Sequence, residues 1–129
     1  MGYWIDESLV YSSEHFPQGG FQYLLQVCDW ARQQGFYIIL DLHGAPYSQS
    51  ATPNADTGQY RSPGFYDNSD AYERSYKFLE WMTSAIHTHP EMANVGMIEV
   101  LNEPVQDQSK THSLLNTYYP TSEQFQSLL

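Results

Sequence analysis

Basic side chains are scarce. Lys and Arg number 5 against 15 Asp and Glu in 129 residues, for a formal net charge of −10 and an isoelectric point near 4.6. Nucleic acids and anionic membrane surfaces are recognised through basic patches, so neither is expected as a partner. A neutral ligand, or plain solubility, suits the charge better. Cysteine is nearly absent: Cys28 is alone, no intrachain disulfide can form, and composition is silent on redox compartment. Cys28 falls on the apolar side of a helical pattern and reads as a buried small hydrophobe rather than a nucleophile. No apolar run reaches 18 residues, so no membrane helix is expected. Residues 1–6 lack the basic and apolar segments of a signal peptide. There is no Asn-x-Ser/Thr sequon and no Gly-rich phosphate loop. His87 and His89 resemble a metal pair, but Pro90 follows at once and no third ligand is placed. A His near a helix C-terminus has a simpler electrostatic use, so no metal or cofactor is expected.

Aromatic residues are plentiful, at 16% of the chain with 11 Tyr and 3 Trp, within a hydrophobic content of 41%. They can fill a core or stack on sugar rings. The length suits one domain. Residues 1–5 read as the tail of a strand. A polar loop then runs to Gly19-Gly20, and helical spacing follows at Phe21, Leu24, Leu25, Val27, Cys28 and Ala31, ended by Gly35. Residues 36–42 form an apolar, β-branched and aromatic strand pattern. Residues 70–87 form a second helix, capped by Asn68, Ser69 or Asp70, with Tyr72, Tyr76, Leu79, Met82, Thr83 and Ile86 on its apolar side. Residues 95–101 are a second buried strand, 105–119 a polar loop, and Pro120 opens a third helix. Alternation of this kind implies an α/β fold with a parallel sheet and right-handed crossovers, either a slice of a (β/α)8 barrel or a small doubly wound domain.

The polar residues stand at strand ends. One strand finishes in Asp41-Leu42-His43-Gly44-Ala45-Pro46, the other in Leu101-Asn102-Glu103-Pro104. C-terminal strand ends are where parallel sheets carry ligands and chemistry. Period-2 alternation puts Asp41 and His43 on one face, and Glu99, Leu101 and Glu103 on one face. With neighbouring strands about 4.8 Å apart, His43 and Glu103 would overhang one hollow. Asp41 and Glu99 would lie below them, exposed or poorly paired. Pro104 biases Glu103 towards an extended backbone. The bland alternative is a solvated, polar strand end. The long segment 47–68 leaves the His43 strand. Its Tyr47, Tyr60, Phe65 and Tyr66 form either a sugar-stacking wall or a loop packed down by its own aromatics.

Gly2-Tyr3-Trp4, Asp41-Leu42-His43-Gly44-Ala45-Pro46 and Leu101-Asn102-Glu103-Pro104 together resemble glycoside hydrolase family 5, in order and in approximate spacing. Pro17-Gln18-Gly19-Gly20-Phe21, Gly58-Gln59-Tyr60, Pro63-Gly64-Phe65-Tyr66, Phe78-Leu79-Glu80-Trp81-Met82 and Asn94-Val95-Gly96-Met97 resemble the family's fungal endo-1,6-β-glucanases more than its exo-1,3-β-glucanases. The resemblance implies a partial TIM barrel, about strands 2–4 with their helices, with residues 1–129 a fragment of a catalytic domain. It implies a retaining hydrolase acting on β-glucan, with Glu103 as general acid/base and Asn102 and His43 at the cleavage subsite. The nucleophilic Glu and the second-strand Arg of the family match no residue here. The full-length parent is expected to be a secreted, cell-wall-associated monomer. A non-catalytic sugar-binding remnant is the rival outside enzymology.

Overall fold

The computed structural model describes residues 1–50 and 62–126. Two short 3₁₀ turns, Tyr3–Ile5 and Glu7–Leu9, precede helix α1 (Phe21–Gln33) and strand β1 (Ile38–Asp41). Helix α2 (Ser69–Thr88), a 3₁₀ turn at Pro90–Met92 and strand β2 (Val95–Glu99) follow. The last described stretch is helix α3 (Gln108–Ser113), a π turn at Leu114–Tyr118 and helix α4 (Tyr119–Gln126).

Helix ends follow local chemistry. Gly35, at φ +73°, closes α1 as a Schellman turn: its N–H donates to Arg32 O and that of Phe36 to Ala31 O. Of the three candidate caps for α2, Asn68 is the one used, its side chain accepting from Ala71 N. His89 ends α2, its ring edge-on to Phe21 at 5.2 Å between centroids.

The sheet pairs β1 and β2 in parallel, with Ile39 opposite Met97, Leu40 opposite Ile98 and Asp41 opposite Glu99. One irregularity leaves Gly96 as an extra residue after the Ile38–Val95 pair. Leu40, Leu42, Val95 and Ile98 are buried with Cys28 of α1 and Phe78, Leu79 and Met82 of α2. On the opposite face Ile39 and Met97 are 53% and 45% exposed. This is the barrel-like α/β arrangement expected, with two strands instead of three. Residues 1–3 add only a single parallel bridge, Gly2 to Gly44, fixed by His43 N–H to Met1 O (2.7 Å) and Tyr3 N–H to Gly44 O (2.9 Å). The chain then coils into the 3₁₀ turn, with the Trp4 ring folded back over the bridge. A Cβ on Gly2 would meet that ring at 2.1 Å, and one on Gly44 at 2.7 Å. Trp4 is itself stacked on Phe16 at 4.4 Å.

Two expectations fail at the C-terminal end. Leu101 is buried and Glu99 exposed, so they do not share a face: regular pairing stops at Glu99 and the backbone bends before Leu101. Residues 105–119 are not a loop. Asp107 accepts from Ser109 N and Lys110 N and starts α3. Leu114 and Tyr118, one turn apart, turn the helix onto the core. The π turn directly upstream of Pro120 lets the helix continue past a residue that has no N–H to give.

Candidate active site

Hydrogen bonding outlasts both strands. Leu42 N–H donates to Glu99 O (2.9 Å) and Asn102 N–H to Leu42 O (3.1 Å), which draws the Asp41–His43 and Asn102–Glu103 ends together. His43 is exposed, and its Nδ1 lies 2.7 Å from Asp41 Oδ2, as alternation requires. Asp41 Oδ1 is buried with no hydrogen-bond partner among the described residues, and Glu99 is exposed. These two carboxylates therefore stand as expected, one half-paired and one open.

Asn102 is half-buried. Its Nδ2 is a buried donor with no partner among the described residues. An orphaned amide donor is costly unless something else accepts from it, and a ligand hydroxyl would do so. Glu103 is exposed. Its φ is +38°, so the extended backbone expected from the following proline is overturned. A non-glycine residue held in the left-handed region costs about 1–3 kcal/mol and persists only where its surroundings enforce it.

Gln49 supplies part of that enforcement, and no periodicity or motif in the sequence singles it out. It is fully buried. Its Nε2 donates to His43 O (2.6 Å) and to Asn102 O (3.0 Å), while its Oε1 accepts from Ala45 N (3.1 Å). Tyr66 acts beside it: the hydroxyl donates to Gln49 O (2.6 Å) and accepts from Val105 N (2.6 Å). Burial pushes the Tyr66 phenol up to about 12, keeping that donor proton in place.

The aromatic segment resolves mostly towards packing. Phe65 is fully buried and cannot stack on a ligand. Tyr47 is half-buried at φ +62°, followed by Ser48 at +66°, a pair of left-handed residues directly after Pro46. The Arg74 guanidinium lies 5.7 Å from the Tyr47 ring centre, 4.0 Å from Tyr11 and 4.7 Å from Tyr3. Arg74 also bonds Glu14 and Leu9 O. Burial works to lower the Arg74 pKa, but Glu14 and Tyr3 outweigh it and the net shift is upward. Tyr60 lies outside the described residues.

The sequence profile described as Cellulase (glycosyl hydrolase family 5) matches residues 3–125. The chain belongs to glycosyl hydrolase family 5. Within the family it is similar to a "Probable glucan endo-1,6-beta-glucosidase B" of Neosartorya fischeri, 56% identical over 124 residues that cover 95% of this chain and 30% of that protein. The "Glucan endo-1,6-beta-glucosidase B" of Emericella nidulans is 52% identical over 124 residues, with 95% and 30% coverage. The "Glucan 1,3-beta-glucosidase 2" of Candida albicans is 29% identical over 110 residues, covering 81% of this chain and 22% of that protein. A solved structure titled "Crystal structure of AoRut" shares the fold, with a TM-score of 0.76 at 19% identity, covering 92% of this chain and 36% of the other. The chain thus spans about 30% of the length of the endo-1,6 relatives it matches.

Proposed function

We propose that this chain carries the acid/base half of a retaining β-glucan hydrolase, with β-1,6-glucan as the substrate. The observation that supports this best is Glu103: a solvent-facing carboxylate at the C-terminal edge of a parallel sheet, in a left-handed backbone, next to an orphaned Asn102 amide. Retaining hydrolysis needs two carboxyl groups about 5–5.5 Å apart. In the first step Glu103 gives its proton to the glycosidic oxygen as that oxygen leaves the anomeric carbon. A second carboxylate, which no residue of this chain matches, takes the anomeric carbon covalently. In the second step Glu103 removes a proton from water as the water displaces that ester. Asn102 Nδ2 donates to the sugar 2-hydroxyl. His43, held by Asp41, lines the same subsite, and Tyr47 borders it. The identities of 56% and 52% to proteins named for 1,6 linkages, against 29% for one named for 1,3, favour β-1,6-glucan. A wall polysaccharide of this kind is met outside the cell, so the working protein is read as secreted and monomeric.

The test uses a chimera in which this chain replaces the matching stretch of the Neosartorya fischeri protein. Glu103→Gln keeps the shape but removes the transferable proton. It should lower turnover of β-1,6-glucan by about 10²–10⁴-fold while sparing binding. Near-normal hydrolysis by that variant would refute the assignment.

A further inference from the structure

The stretch Asn102-Glu103-Pro104-Val105 is tethered on both sides, and both tethers lead to one residue. On the near side, Asn102 O accepts from Gln49 Nε2 at 3.0 Å. On the far side, Val105 N–H donates at 2.6 Å to the Tyr66 hydroxyl, which donates at 2.6 Å to Gln49 O. Gln49 is therefore bonded through its side chain to the residue before Glu103. Through Tyr66 its main chain is bonded to the second residue after it. The same amide nitrogen also holds His43 O at 2.6 Å. Among the described residues, Nε2 thus bonds both strand ends. Gln49 cannot drift, being fully buried with Oε1 fixed by Ala45 N–H.

We infer that Gln49 and Tyr66 are positioning residues for Glu103, clamping the turn that carries it from both sides. The inference rests on Glu103 being the acid/base. A left-handed residue before a proline has no local reason to keep its conformation. Asn102 N–H to Leu42 O fixes only the entry to the turn. Pro104 has no N–H to contribute, so Val105 N–H is the first main-chain donor after Glu103. Its acceptor is a side-chain hydroxyl rather than a strand carbonyl. Proton donation to a glycosidic oxygen depends on carboxyl placement, and a displacement of about 1 Å costs on the order of 100-fold in rate. Neither Gln49 nor Tyr66 needs to touch the sugar for this role. A substrate whose leaving group departs without a proton should be indifferent to it.

The experiment compares Tyr66→Phe and Gln49→Met with the parent chimera on two substrates: β-1,6-glucan, and an aryl β-gentiobioside whose nitrophenolate leaves unaided. Phe keeps the ring and its packing, and Met keeps the length of Gln without its hydrogen bonds. For each variant kcat/KM should fall about 10–100-fold on glucan and stay within about threefold on the aryl substrate. Combining Tyr66→Phe with Glu103→Gln should add almost nothing to the loss from Glu103→Gln alone, because the clamp has no function without the acid. Equal losses on both substrates, or full additivity with Glu103→Gln, would mean a general structural role and overturn the inference. So would unchanged glucan kinetics in Tyr66→Phe alongside an inactive Glu103→Gln. Should Glu103→Gln itself stay active, it is the acid/base reading that fails. Tyr66→Phe carries the test if Gln49→Met does not fold.

Discussion

Arg74 and Glu14, 60 residues apart in sequence, form an ion pair at 2.6 Å with side chains only 4% and 3% exposed. The same Nη2 and the Nε of Arg74 also donate to Leu9 O, so the guanidinium fastens the loop before α1 onto α2. Removing Glu14 leaves the buried guanidinium with the longer 3.9 Å pairing to Asp70 in place of a direct 2.6 Å bond. Glu14→Ala should therefore cost about 3–5 kcal/mol of stability, and a Glu14→Met, Arg74→Met double variant should lose much less. Urea unfolding of the single and double variants measures both. A single variant as stable as the parent would show that solvent reaches the pair.

The orphaned Asn102 Nδ2 leads to a kinetic prediction. Hydrogen bonds to the sugar 2-hydroxyl strengthen as the transition state forms, so Asn102→Ala should reduce kcat on glucan by about 100-fold with little change in KM. In a 2-deoxy substrate the variant and the parent should become nearly equal. A penalty that survives removal of the 2-hydroxyl would assign the Asn102 amide to another partner.

Tyr37, Ile39 and Met97 expose 63%, 53% and 45% of their surfaces on the open side of the sheet. Large contiguous apolar surfaces of this kind associate, and unpaired strand edges recruit other chains. The 129-residue chain expressed alone should elute above monomer size and release no reducing sugar from β-glucan. Ile39→Lys with Met97→Lys should shift it towards monomer without creating activity. Size-exclusion chromatography paired with a reducing-sugar assay reads both, and an active monomer would contradict each half.

The tyrosines set an alkaline limit. Burial pushes Tyr66 up to about 12 and also raises Tyr76, Tyr118 and Tyr119 from the ordinary 10.0. Between pH 10 and about 12 the unfolded chain sheds phenolic protons that the folded chain keeps. Their contribution is whole below pH 10 and is lost as pH rises through that window. Phenolate absorbance of these buried rings should therefore appear only above pH 10, in a step that coincides with loss of structure. One step near pH 10 with the fold intact would contradict the burial of these rings.

Much of the site was legible because it lies where regular patterns stop. Alternation located Asp41 and His43 correctly, and the abrupt polar endings of two apolar runs marked both strand ends. What escaped lies beyond the reach of periodicity. The backbone bends between Glu99 and Leu101, so counting by twos carried Leu101 to the wrong face. Glu103 adopts a left-handed backbone against the preference of a residue before proline, because distant groups hold it there. Gln49 and Tyr66 sit in an irregular segment where neither period 2 nor period 3.6 applies, and only the folded chain reveals that they meet the Glu103 turn. The helix at Gln108 was hidden by its polar, solvent-facing first turns. Leu114 and Tyr118, with the buried Ser113 bonded to the Tyr72 hydroxyl, tie it to the core.

The Trp4 ring that lies over Gly2 and Gly44 constrains how this region can change over generations. A side chain at either glycine collides with the ring, and loss of the ring removes that clash at both positions at once. The order of mutational events is therefore fixed. Replacement of Trp4 must precede, or accompany, any replacement of Gly2 or Gly44. The three positions behave as one inherited character, and a descendant lineage that keeps the tryptophan has no neutral path to alanine at either glycine.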